Sequence, residues 1–155
     1  LPLLKKVILI GPDEEAFSRV EPEFKEKVEF LSRERLLEME ETEVSAFVKN
    51  QVGEYPLYIS IDKDVLCETD ADTNWSQGDM RLSTMLECLG AVKEKCAERI
   101  SRILGVDICG ECDVTEPGNS ALNDMANAAL LEFFTSTDVG EDIEENKNGT
   151  TGGNG

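Results

Sequence analysis

Short apolar runs alternate along this chain with segments of helical periodicity, and this alternation constrains the fold more than any other feature. The runs cover 7–10, 57–61 and 100–108. Strands separated by helices in this way favour a parallel α/β sheet with right-handed crossovers. Ligands of such sheets bind beyond the carboxyl ends of the strands, so we expect functional residues at Asp62, Asp64 and the loop after Asp107.

The segments between the runs carry apolar residues at intervals of three or four, as amphipathic helices do. The predicted helices cover 33–49, 82–96 and a segment beginning at Ser120, with a short helix within 13–27 and a brief strand at 28–31. Ser32 and Asp79 are the expected N-caps of the first two long helices. The helical residues that we assign to the core, rather than to a ligand groove, are Met85, Leu86, Leu89, Met125, Leu130 and Phe133.

The charge of the chain and its lack of histidine exclude several classes of function. With 33 acidic and 15 basic residues, the net charge of −18 repels phosphate backbones and anionic bilayers. We therefore expect neither nucleic acid nor a membrane as a partner. Without histidine the chain carries no Ser/His/Asp triad, no Cys/His dyad and no imidazole metal ligand.

The cysteines and the two ends of the chain bear on compartment and domain organisation. The five cysteines are odd in number and follow no secretory leader, so we expect reduced thiols and a cytoplasmic location.

Residues 1–135 are predicted to form one partial α/β domain, and the acidic, glycine-rich residues 136–155 are predicted to form a disordered tail. Since Leu1 almost directly precedes a strand, we expect that an upstream part of the domain is absent. A truncated sheet exposes an edge strand, which favours homo-oligomers, although no residue fixes the oligomeric state.

Asp62 and Asp64 are the strongest candidates for a chemical role. On an extended backbone their carboxylates project to the same side and can share a hard divalent cation such as Mn²⁺ or Mg²⁺. The alternative is a solvated junction between a strand and a loop, or a helix cap, since acidic pairs are common in so acidic a chain. The nearby residues 70–74 begin like an EF-hand calcium loop, but Trp75 and Arg81 replace its required glycine and acid.

Two segments resemble a known family of metallohydrolases. Ser60-Ile61-Asp62-Lys63-Asp64 resembles the Ser-x-Asp-x-Asp-x-x-Asp-Pro signature of the arginase, agmatinase and ureohydrolase family. Residues 103–108 resemble the strand that leads into Asp-x-x-Glu in arginases. The resemblance covers roughly residues 55–135. It implies an arginase-like three-layer α/β sandwich with a mainly parallel sheet, truncated on its N-terminal side.

The resemblance also implies an activity, a metal and a substrate class. A member of this family cleaves a linear C–N bond of a guanidine, amidine or amide with a metal-activated hydroxide. Asp62 would bridge two Mn²⁺ ions and Asp64 would chelate one of them, with Ser60 and Asp107 close to the site. The substrate would be a small cationic or amide molecule. No residue is assigned as a catalytic acid or base.

This sequence departs from the family pattern at three places. Cys67-Glu68 replaces the usual Asp-Pro, and Gly110 stands where an acid follows the strand. Glu111, one position later, is therefore the expected substrate contact, together with Trp75 in the loop over the cleft. The family pattern also requires histidines upstream of residue 7, so we expect these 155 residues alone to be inactive.

Alternative interpretations remain open for each motif. The whole chain could be a non-catalytic acidic α/β domain that binds a cation or a basic partner. Cys109 and Cys112 form a Cys-x-x-Cys motif that suits either a redox pair or ordinary reduced thiols, and we favour the latter. Trp75 could equally pin its loop to the domain.

Overall fold

The computed structural model describes residues 3–98, 100–111 and 120–136, and the predicted tail beyond residue 136 lies outside them. The strands are β1 (Val7–Ile10), β2 (Val28–Leu31), β3 (Leu57–Asp62) and β4 (Ile103–Cys109). The helices are α1 (Glu14–Ser18), α2 (Pro22–Lys25), α3 (Arg33–Leu36), α4 (Glu41–Gln51), α5 (Leu82–Ala97) and α6 (Ser120–Thr135), with a 3-10 turn at Lys63–Val65.

The described strands form two separate two-stranded sheets, and both are parallel. In the first sheet β1 pairs with β2 from Val7 opposite Val28. In the second, β3 pairs with β4, and the register shifts by one residue between Leu57 and Tyr58. The predicted parallel α/β class is therefore confirmed, since helices lie between the paired strands along the chain.

The prediction of one long helix over 33–49 is wrong, because this segment forms two helices, α3 and α4. Glu40 starts the second helix with a capping box, in which the backbone N–H of Glu40 donates to the Glu43 side chain at 2.9 Å. A capping box satisfies backbone donors at a helix start, so it competes with continuing the first helix through this point. The predicted Ser32 cap is confirmed, since its hydroxyl oxygen accepts from the N–H of Arg35.

The prediction that Asp79 caps the next helix is wrong. Arg81 is the N-cap residue of α5, and the N–H of Leu82 donates to the side chain of Asp70 at 2.8 Å. Asp79 instead forms an ion pair with Arg33. Local spacing could not identify the capping carboxylate, because it lies 12 residues upstream of the donor.

Two clusters of buried side chains form the core, and α5 contributes to both. One cluster joins β2, α4 and α5 and includes Leu31, Val44 and Cys88, and the other joins β3, α5 and α6 and includes Ile61, Leu89 and Leu130. The prediction that Met125 belongs to the core is wrong, because its side chain on α6 is 68% exposed. None of the described helices is long and apolar enough to cross a membrane.

Candidate functional site at the ends of β3 and β4

Polar residues line the exposed face of the second sheet. In the parallel register, Ser60 of β3 lies opposite Asp107 of β4, and Asp62 lies opposite Cys109. The Ser60 hydroxyl donates to Oδ1 of Asp107 at 2.8 Å. A hydrogen bond from Tyr58 to the same carboxylate raises the pKa of the exposed phenol. The structure thus brings Ser60, Asp62 and Asp107 to one face, close to the carboxyl end of the sheet.

Asp62 and Asp64 lie at the end of β3, but they do not share one extended strand as predicted. The strand stops at Asp62, and the 3-10 turn follows directly. The backbone N–H of Asp64 donates to Oδ1 of Asp62 at 3.1 Å. Partial burial, followed by the charge of Asp62, raises the pKa of the Asp64 carboxyl, and a hydrogen bond from Thr73 opposes the rise. The two carboxylates are therefore close enough to repel each other.

The chain that follows β4 packs directly against this acidic turn, which requires glycine at position 110. Gly110 has a φ of +80°, and a Cβ there would lie 2.6 Å from Oδ1 of Asp62 and 2.7 Å from the backbone nitrogen of Lys63. No side chain can occupy that space without displacement. The departure from the family's acid at this position therefore has a structural cause in this chain.

Lys63 and Asn127 belong to the same site, and sequence reasoning missed both. The Lys63 side chain is completely buried, and its ammonium pairs with Glu111 and donates to Oδ1 of Asn127 at 2.9 Å. Asn127 in turn donates to Oε1 of Glu111 at 2.7 Å. The hydrogen bonds from Asn127 and Lys63 lower the pKa of the Glu111 carboxyl. We call Lys63, Glu111 and Asn127 the lysine cluster.

Trp75 does not pin its loop to the domain, because its side chain is 91% exposed. The loop is held by other contacts: Leu66 and Met80 form a β-bridge, and Gln77 donates to the Leu66 carbonyl oxygen at 2.6 Å. Thr73, in the same loop, lies close enough to the Asp64 carboxyl to oppose the rise in its pKa. The indole is thus free to meet a ligand, but no described contact directs it toward the aspartates.

The thiol of Cys109 lies on the same sheet face and is exposed. Desolvation, then the negative charge of Asp62, raises its pKa, and both effects disfavour the thiolate. A reactive redox cysteine needs a lowered pKa, so the shift of Cys109 disfavours the redox interpretation. Cys112 lies outside the described residues.

The donors in the described part of the chain do not complete a metal site. Mn²⁺ and Mg²⁺ prefer about six oxygen or nitrogen ligands. Asp62 and Asp64 supply two neighbouring carboxylates, but the described residues contain no group of three or more His, Cys, Asp or Glu side chains that could hold a metal ion.

Comparison with known proteins gives one distant relationship and assigns the chain to no family. The chain is 35% identical over 85 residues to an uncharacterized protein of Thermotoga maritima. That match covers 54% of this chain but only 32% of the Thermotoga protein, so the chain spans about a third of its relative. No protein-family model matches the chain. No solved structure matches it either.

Proposed function

We propose that this chain is part of an arginase-like metallohydrolase that cleaves a linear C–N bond. The observation that carries the proposal is the position of Asp62 and Asp64 at the carboxyl end of a parallel strand, beside Asp107 of the neighbouring strand. This is the edge where parallel sheets bind ligands, and the residues are those on which the family resemblance rests.

The electrostatics of the acidic turn also support a cation there. The raised pKa of Asp64 reflects a carboxylate that is partly buried beside another negative charge. A divalent cation would relieve this repulsion, and when bound it would lower the pKa of a water molecule and stabilise developing negative charge. The Asp62 carboxylate is exposed and can reach such an ion, and the backbone N–H of Asp64, which donates to Oδ1 of Asp62, helps to fix its position.

The remaining ligands would come from an upstream part of the complete protein, as the resemblance implies. In that protein the two parallel strand pairs would join one larger sheet of a three-layer sandwich. A reading frame with an Asp-x-His-x-Asp segment upstream of β1 would support this proposal. A complete protein without such a segment would contradict the hydrolase.

Mn²⁺-induced broadening of backbone amide NMR signals tests the cation site in the chain itself. We expect substoichiometric Mn²⁺ to broaden the amide signals of Asp64 and Gly110 before those of other acidic regions. Asp62→Asn should remove this preference, whereas Glu87→Gln, a matched control on an exposed face of α5, should leave it unchanged. Broadening spread evenly over the acidic surface, or unaffected by Asp62→Asn, would contradict the site.

One observation favours a second candidate function, a non-catalytic acidic domain that binds a cation or a basic partner. The net charge of −18 suits a cation or a basic partner without any catalytic step. Hydrolysis assays of the complete protein separate the two functions. Site-specific Mn²⁺ binding without turnover of any guanidine, amidine or amide would favour the non-catalytic domain.

A further inference from the structure

A buried lysine between the two candidate ligands is the most unusual feature of this site. Lys63 follows Asp62 and precedes Asp64, yet its side chain is 0% exposed while that of Glu111 is 51% exposed. A buried ammonium is strongly unfavourable unless it is paired and hydrogen-bonded. The lysine cluster provides both, with the Glu111 carboxylate as counter-ion and the Asn127 carbonyl oxygen as second acceptor.

The cluster also fixes the charge that Glu111 can present to a ligand. Both the Lys63 ammonium and the Asn127 amide donate to Oε1 of Glu111. The Lys63 ammonium therefore already neutralises this carboxylate. A cationic ligand at the exposed part of the carboxylate would gain little net attraction, because it would also be repelled by the buried ammonium. A neutral N–H donor can hydrogen-bond to the half-exposed carboxylate without this repulsion.

We propose that Lys63 is a specificity-determining residue that makes Glu111 accept an uncharged carboxamide-type donor and reject guanidinium and amidinium groups. This inference rests on the proposed function. Of the three substrate classes of the proposed hydrolase, guanidines, amidines and amides, it favours amides. Lys63 acts through Glu111, so it is a positioning residue rather than a catalytic one. The Lys63 ammonium already occupies the position beside Glu111 that a cationic substrate would need.

Titration of the metal-free chain with methylguanidinium chloride, followed at the backbone amides of Gly110 and Glu111 by NMR, tests this selection. In the wild type we expect shifts no larger than those caused by equal concentrations of tetramethylammonium chloride. Lys63→Met keeps a similar volume and removes the ammonium, so it should bind methylguanidinium at least tenfold more tightly than the wild type does. The double variant Lys63→Met/Glu111→Gln should lose that gain.

The wild-type titration keeps the test decisive if Lys63→Met fails to fold. Methylguanidinium shifts at Gly110 and Glu111 that exceed those of tetramethylammonium in the wild type would overturn the proposal. Shifts in folded Lys63→Met that are no larger than those in the wild type would also overturn it. Since no metal is present, these results do not depend on the Mn²⁺ experiment, and either proposal can fail without the other.

Discussion

Replacing Gly110 by alanine should be among the most destabilising single-methyl changes in this chain. A φ of +80° costs an L-residue roughly 1–2 kcal/mol relative to glycine. The new Cβ would also lie 2.7 Å from the Lys63 nitrogen and 2.9 Å from the Asp64 nitrogen. These are backbone atoms that cannot rotate away, so relieving the clash should cost about 1–3 kcal/mol more. We therefore expect Gly110→Ala to lower the free energy of unfolding by roughly 2–5 kcal/mol.

Gly90→Ala is a matched control that should change stability in the opposite direction. Gly90 lies inside α5, and a Cβ there would meet nothing within 4 Å. Alanine is the better helix former by about 0.5–1 kcal/mol, so this variant should be more stable than the wild type. The two variants make the same chemical change in different surroundings.

Urea denaturation followed by circular dichroism measures both variants against the wild type. The midpoint should fall for Gly110→Ala and rise for Gly90→Ala at an unchanged m-value. In folded Gly110→Ala, the amide signals of residues 62–64 should shift, because the acidic turn must move to admit the methyl group. If Gly110→Ala were as stable as the wild type, the chain after β4 would not pack against the acidic turn, and the geometry of the candidate site would be refuted.

Three further results are expected from other parts of the molecule. Burial raises the pKa of Cys88 to about 11, so the folded state holds this proton more tightly than the unfolded state does. Stability should be constant below about pH 9 and fall by about 3 kcal/mol in total as the pH rises from about 9 through 11. Cys88→Ala should reduce this alkaline loss in pH-dependent melts. Leu130→Ala should lower the free energy of unfolding by about 2–5 kcal/mol, because Leu130 is fully buried. Met125→Ala on the exposed side of α6 should lower it by less than about 1 kcal/mol, and urea denaturation measures both changes. The hydrogen bonds that lower the pKa of Glu111 stabilise the fold above the ordinary glutamate pKa, and this contribution is lost as the pH falls through the lowered folded value. Glu111→Gln should therefore weaken the acid dependence of stability below about pH 5 in pH-dependent melts.

The strands were predicted well because their signal is local. The continuous apolar run at 7–10 coincides with β1, and the brief strand predicted at 28–31 coincides with β2. The run at 57–61 corresponds to β3, which continues for one more residue to Asp62. The third run begins later than predicted, at Ile103. The parallel pairing also followed from the alternation of strands and helices, since parallel neighbours need a crossover between them. An apolar run carries this information without reference to distant residues.

The helix boundaries were predicted less well, because they depend on side chains that compete for backbone donors. The apolar spacing over 33–49 suits one continuous helix, yet Glu40 and Glu43 cap a new helix inside it. Asp70 outcompetes Asp79 for the start of α5, although Asp79 is nearer in sequence. Both errors arise where a hydrogen bond to a carboxylate overrides hydrophobic periodicity.

The candidate site shows the same division between local and long-range information. Asp62 and Asp64 could be selected from five consecutive residues, whereas the partners of Lys63 lie 48 and 64 residues away. A lysine at a strand end normally extends its ammonium into solvent, so nothing local indicates burial. Its inward position follows only when Glu111 and Asn127 approach from the end of β4 and from α6. The acidic pair is thus visible in one segment of the sequence. The charge that a ligand meets at the site depends on three segments, namely the end of β3, the end of β4 and α6. The substrate class must therefore be inferred from the folded arrangement and not from the motif.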